Sequence, residues 1–127
     1  MTYKTSELTG AALDFAVAEC EESTDQRITV IRRENFVGRP IERETEPGSC
    51  VWEWWAPSRI WAQGGLIIER ERLLIQPEIG KEGSGNAWYC VSMQNTDAYG
   101  PTALIAAMRC YVASKLGDTF EVPDSIV

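Results

Sequence analysis

Two stretches of the chain place apolar residues at helical spacing. In Leu8–Cys20, the residues Leu13, Ala16, Val17 and Cys20 recur every three or four positions, and Phe15 widens the arc. Asp14 is the only charge between Ala11 and Ala18, and Thr9 stands where an N-cap would. In Pro101–Leu116 the stripe is Leu104, Ile105, Met108, Tyr111, Val112 and Leu116, widened by Ala103, Ala106, Ala107 and Ala113. Pro101 suits a first helical turn and Gly117 a C-terminal stop. Arg109 is the only charge before Lys115, so this helix is expected to be central and to pack on more than one side.

Between the helices the period shortens. Arg27–Ile31, Val51–Trp55, Leu66–Arg70, Arg72–Ile75 and Ala87–Met93 are short, β-branched or aromatic, and read as strands. The turn residues of Pro77–Gly85 make the last two a hairpin. A charged loop with room for a short strand is expected at about 32–47 and a flexible C-terminal tail at about 118–127. The order helix, antiparallel strands, helix predicts a single α+β domain: a small antiparallel sheet with two helices packed on it.

Composition narrows the chemistry. The 127 residues include no His, which removes the Ser-His-Asp triad, the Cys-His pair and imidazole general bases. Twelve Lys plus Arg against 19 Asp plus Glu give a net charge of −7. A duplex-binding surface is not expected from that balance, because phosphate neutralisation supplies most of such affinity. The four cysteines, at 20, 50, 90 and 110, form no Cys-x-x-Cys pair. They read as reduced core side chains, with no metal site and no cofactor implied. No apolar run approaches the length of a membrane span, and no leader-like segment opens the sequence, so an intracellular protein is expected.

Several residues could carry recognition. Trp61-Ala62-Gln63-Gly64-Gly65 reads as a loop in which Trp61 stacks, Gln63 offers an amide, and Gly64 and Gly65 expose backbone to a planar ligand. An ordinary glycine turn is the plainer alternative. Tyr99-Gly100-Pro101-Thr102 opens a helix, whose N-terminus can receive an anion with help from the Thr102 hydroxyl. Trp52, Trp54 and Trp55 are either core residues or an exposed aromatic surface. Asp14 and Arg109, each alone on an apolar helix, are expected to pair with each other or to reach solvent. In Glu69-Arg70-Glu71-Arg72 the two glutamates share a strand face, as a solvated charged surface or, less simply, as a carboxylate pair for hydrolysis.

Four segments resemble a bacteriophage family, the NinX-like small proteins of unknown function. They are Lys4–Gly10 with Ala12–Ala18, Pro57-Ser58 with Trp61–Gly65, Ile67–Glu71, and Tyr99–Gly117. The chain departs from the family at Arg59-Ile60, where members carry Thr-Asp, and at Leu66, where Pro follows the glycine pair. The resemblance implies a phage origin and the host cytoplasm, and it supplies no activity. With the residues above, it leads to a non-enzymatic binder of a nucleotide-like signal of host defence. In that reading Trp61 stacks, Gln63, Gly64 and Gly65 read edges, and Arg59, Arg109 or Thr102 with Tyr99 holds phosphate. The alternative is an adaptor or inhibitor of a host protein acting through the Trp-rich surface. A homo-oligomer is expected from a second helix with two packable sides.

Overall fold

The structure, a computed structural model, describes residues 1–24, 38–42 and 50–124. The strand expected at Arg27–Ile31 and the side chain of Trp52 lie outside the described residues. The element order is β1 (Thr2–Lys4), a 3-10 turn (Thr5–Glu7), α1 (Gly10–Thr24), β2 (Gly38–Glu42), β3 (Cys50–Trp54) and α2 (Trp61–Glu71). It continues with β4 (Leu74–Pro77), β5 (Trp88–Val91), β6 (Asp97–Gly100), α3 (Ala103–Leu116) and β7 (Thr119–Glu121). The class is α+β as expected, with three α-helices among the described residues rather than two.

Among the described residues the strands form three small antiparallel sheets: β1 with β7, β2 with β3, and β4-β5-β6. The β4–β5 hairpin pairs Leu74 with Val91 and Pro77 with Trp88, as the turn chemistry of Pro77–Gly85 predicts. β2 falls inside the segment read as a charged loop, and β7 inside the segment read as a tail, where Val122 is buried. On the β4-β5-β6 sheet, Ile75, Cys90 and Ala98 face inward, while Leu74, Tyr89 and Tyr99 project the other way.

α3 is the centre of the molecule. Leu104, Ala106, Ala107, Met108, Cys110, Tyr111 and Val112 are buried, a nearly all-round apolar helix. It packs on β4, β5 and β6 on one side and on α1 and α2 on another, so both packable sides are covered within the chain. The helix begins two residues later than expected because Thr102 is its N-cap: Ile105 N–H donates to Thr102 Oγ1 at 3.2 Å. Thr102→Ala should cost about 1 kcal/mol in a denaturant titration. Gly100 lets β6 approach the helix, since a Cβ there would stand 2.6 Å from the Ala106 backbone nitrogen.

α2 corrects the strand expected at Leu66–Arg70. Gln63, Gly64 and Ile67 face the core, with Ile68 and Glu71 half-buried, an i, i+3, i+4 pattern. Its C-cap is Arg72 at φ 53°, so Arg72 ends a helix and does not begin a strand. Cys20, Cys90 and Cys110 are buried free thiols, as expected for core cysteines.

Three polar clasps tie the layers. Arg70 holds Glu21 with two guanidinium nitrogens, and Tyr111 donates its hydroxyl to the same carboxylate at 2.7 Å, joining α2, α1 and α3. Arg109 donates to the carbonyls of Leu8 (2.7 Å) and Tyr99 (2.9 Å). Asp14, buried on α1, accepts from the Ser58 amide at 2.9 Å and faces Arg59 at 3.4 Å. The expected pairing of Asp14 with Arg109 is thus replaced by two separate solutions to the same problem of a charge on an apolar helix.

Candidate functional site

The turn at residues 55–60 is built by Gln63. Its Oε1 accepts from the Ala56 amide at 2.7 Å, and its Nε2 donates to the Trp54 carbonyl at 2.6 Å. Both ends of the amide are spent on backbone and the residue is 2% exposed, so Gln63 shapes the site without facing it. The Arg59 and Ile60 amides donate back to the Ala56 carbonyl, closing the turn that leads into α2. Trp61–Gly65 is accordingly the first turn of a helix and not a loop. Gly64 N–H donates to the Ile60 carbonyl, and neither glycine presents its backbone as a free edge reader in the expected way.

That turn and the start of α3 border an open cleft of about 470 Å³. Ser58, Arg59 and Trp61 line one side; Thr102, Ala103, Leu104 and Ile105 line another; Trp88 of β5 and Pro101 complete it. The volume lies in the range of small-molecule sites. Trp61 is 59% exposed and offers a bare indole plane. At the start of α3, the Ala103 and Leu104 amides precede the first intrahelical bonds, and the helix dipole favours negative charge there. Ser58 Oγ is sealed from solvent beside the Asp14 carboxylate.

Arg59 is the cation of the cleft. Its side chain is half exposed, touches Asp14 Oδ2, and lies over the exposed Trp54 ring at 5.6 Å. Burial pushes the Asp14 carboxyl above its ordinary range; neighbouring Ser58 and then the Arg59 guanidinium pull it only part of the way back.

Of the residues singled out in the sequence, Arg59, Trp61 and Thr102 meet at this cleft. Gln63 and Gly64 lie behind it, and Gly65 is on the outer face of α2. Tyr99 sits on the outer sheet face, its ring 5.0 Å from that of Tyr89. Arg109 is occupied with two carbonyls, and burial lowers its pKa. The tryptophan cluster divides: Trp55 is core and Trp54 is surface. Glu69 and Glu71, two residues apart on a helix, project to different sides, and Glu71 is tied to Lys115 at 3.1 Å. The lesser alternative, a carboxylate pair on a strand face, is not formed, because both residues lie on a helix. Sequence reasoning missed Trp88 and Ser58 as lining residues; Trp88 was visible only as a strand aromatic.

Among the described residues no cluster of three metal-ligating side chains occurs, and no helix is long and apolar enough to cross a membrane. A second, more polar cleft of about 450 Å³ includes Lys4, Asn95, Asp97 and Asp118 but has no aromatic wall. Comparison with protein families finds one described as "Bacteriophage P22, NinX", matched over residues 4–115. No curated protein matches the chain.

Proposed function

The chain belongs to the bacteriophage P22 NinX family, and from that premise we propose that this phage accessory protein is a non-enzymatic binder of a small, planar, anionic ligand. The ligand class is nucleotide-derived, and the role is sequestration of a host defence signal in the host cytoplasm. The observation that carries the reading is the cleft, where an exposed indole, a half-exposed guanidinium and a helix N-terminus meet within one small-molecule volume. An aromatic plane supplies base stacking, worth roughly 1–3 kcal/mol per base. Arg59 and the α3 amides supply phosphate contacts. Capture of this kind needs no general base, which suits a chain without histidine.

Calorimetric titration with cyclic dinucleotides and cyclic ADP-ribose variants tests the proposal. Binding at one site per chain is expected, weakened about tenfold or more by Trp61→Ala, in line with the loss of one stacking contact. Chromatography of the recovered ligand should show it unchanged; turnover would replace sequestration with hydrolysis. No heat across the panel would count against the ligand class.

A specific observation favours a second reading, an adaptor or inhibitor of a host protein. Trp54 (55%), Trp61 (59%) and Leu66 (61%) are all exposed around the start of α2. Under that reading Trp54→Ala should abolish recovery of a single stoichiometric host protein from infected lysate. Whether copies of the chain associate is read directly by light scattering.

A further inference from the structure

We propose that Asp14 is a positioning residue for anion capture: it holds Arg59 at the cleft and competes with the bound anion for its guanidinium. This rests on the cleft reading above and adds a proton to it. Asp14 is 1% exposed, and its two oxygens are used differently. Oδ1 accepts the Ser58 amide at 2.9 Å, a contact that fixes the turn. Oδ2 meets Arg59 Nη2 at 3.4 Å, a longer contact to a side chain that is 53% exposed. The guanidinium has five N–H donors in a fixed fork, so it can turn most of them to the cleft while one stays with Asp14.

An anion at the start of α3 would therefore approach Arg59 from the cleft, while Asp14 lies behind it. Two negative groups then share one cation. The ligand's anion is open to water and to the Ala103 and Leu104 amides, whereas the Asp14 carboxylate is buried and has no second cation among the described residues. Arg59 is the one charged group acting on Asp14 among the described residues, and Ser58 is the other polar group beside it. The lower-energy outcome is that Asp14 takes up a proton when Arg59 turns to the ligand, retaining the Ser58 amide on Oδ1. Burial already favours the neutral acid, so the uptake needs only the loss of Arg59. Binding that takes up protons strengthens as pH falls.

Sulfate is the probe, because its charge is constant between pH 5 and pH 8. Its binding can be followed by the fluorescence of Trp54, Trp61 and Trp88 at ionic strength fixed with chloride. Wild-type affinity should rise about fivefold as pH falls across that range. Asp14→Asn keeps an oxygen for the Ser58 amide and removes the competing charge. It should bind sulfate about fivefold more tightly than wild type at pH 8 and show a flat pH profile. A merely structural Asp14 would leave the profile unchanged in shape. Should the variant fail to fold, calorimetry of the wild type in two buffers of different ionisation enthalpy reads the proton uptake directly, and zero uptake overturns the proposal. A pH-independent wild type, or a variant that keeps the pH dependence, also overturns it. If a nucleotide binds without proton uptake, only the role of Asp14 falls; if neither sulfate nor any nucleotide binds, the cleft reading falls with it.

Discussion

Gly64→Ala should destabilise the protein by about 3 kcal/mol, while Gly65→Ala, one residue later in the same helix, should be neutral or mildly stabilising. An added Cβ at Gly64 would stand 2.3 Å from the Pro57 carbonyl oxygen and 2.7 Å from Leu104 Cδ2. The first is backbone, in the turn that Gln63 tethers, and it cannot give way without breaking that tether. Overpacking of this kind costs about 1–3 kcal/mol, and a clash with backbone belongs at the upper end. At Gly65 the nearest atom is Trp61 Cε3 at 3.8 Å, an ordinary contact. There the helix propensity of Ala over Gly returns about 0.5–1 kcal/mol. Denaturant unfolding of the two variants decides the matter, and equal effects would contradict the close approach of α2 to α3 and the 55–60 turn. Gly64→Ala should also widen or close the cleft, because Ser58, Arg59 and Leu104 lie on either side of the clash.

Arg70→Met should cost a similar amount, about 3 kcal/mol, by leaving the Glu21 carboxylate buried with Tyr111 as its remaining partner among the described residues. Glu21 is 4% exposed, and breaking a buried pair by removing one partner typically costs about 3–5 kcal/mol. The lower bound applies because the Arg70 side chain is 40% exposed and water screens it. The double variant Glu21→Met/Arg70→Met should recover most of the loss, since no unpaired charge remains. Tyr111→Phe removes one donor to Glu21 and should cost about 1 kcal/mol. A double variant as unstable as Arg70→Met alone would mean that the damage lies in packing and not in the stranded carboxylate.

Burial of Asp14 also sets a pH trend in stability. Its carboxyl is raised in the folded state, so it binds its proton more tightly there than in the unfolded chain. The associated stability is present below the ordinary aspartate range and is lost as pH rises through the raised value. Asp14→Asn should therefore flatten this part of the stability profile, measurable by thermal unfolding between pH 4 and pH 7 at about one-unit steps.

α1 and α3 were legible because their apolar positions keep a helical period over long stretches, and both are buried on nearly all sides. α2 was not. Leu66-Ile67-Ile68 is a short apolar run with two β-branched residues, which periodicity alone cannot assign, and the helix is stabilised by contacts remote in sequence. β1, β6 and β7 are three or four residues each, too short to leave a pattern. β6 was further hidden because Tyr99-Gly100 reads as a lead into α3. The lone charges Asp14 and Arg109 were visible as anomalies, yet their partners, Arg59 and two carbonyls, depend on which loops arrive beside them. Gln63 shows the same limit at the site: an amide beside an exposed Trp resembles a ligand reader, but tertiary structure spends both its ends on backbone.

The central claim concerns a place, the cleft between the start of α2 and the start of α3. Titrating cyclic ADP-ribose and each cyclic dinucleotide into uniformly ¹⁵N-labelled protein reads that place residue by residue. The account predicts, for at least one of them, saturable shifts of the Trp61 and Trp88 indole signals, the Arg59 side chain, and the Ala103 and Leu104 amides. No shift across the panel, or shifts confined to the outer sheet face around Tyr89 and Tyr99, would contradict it.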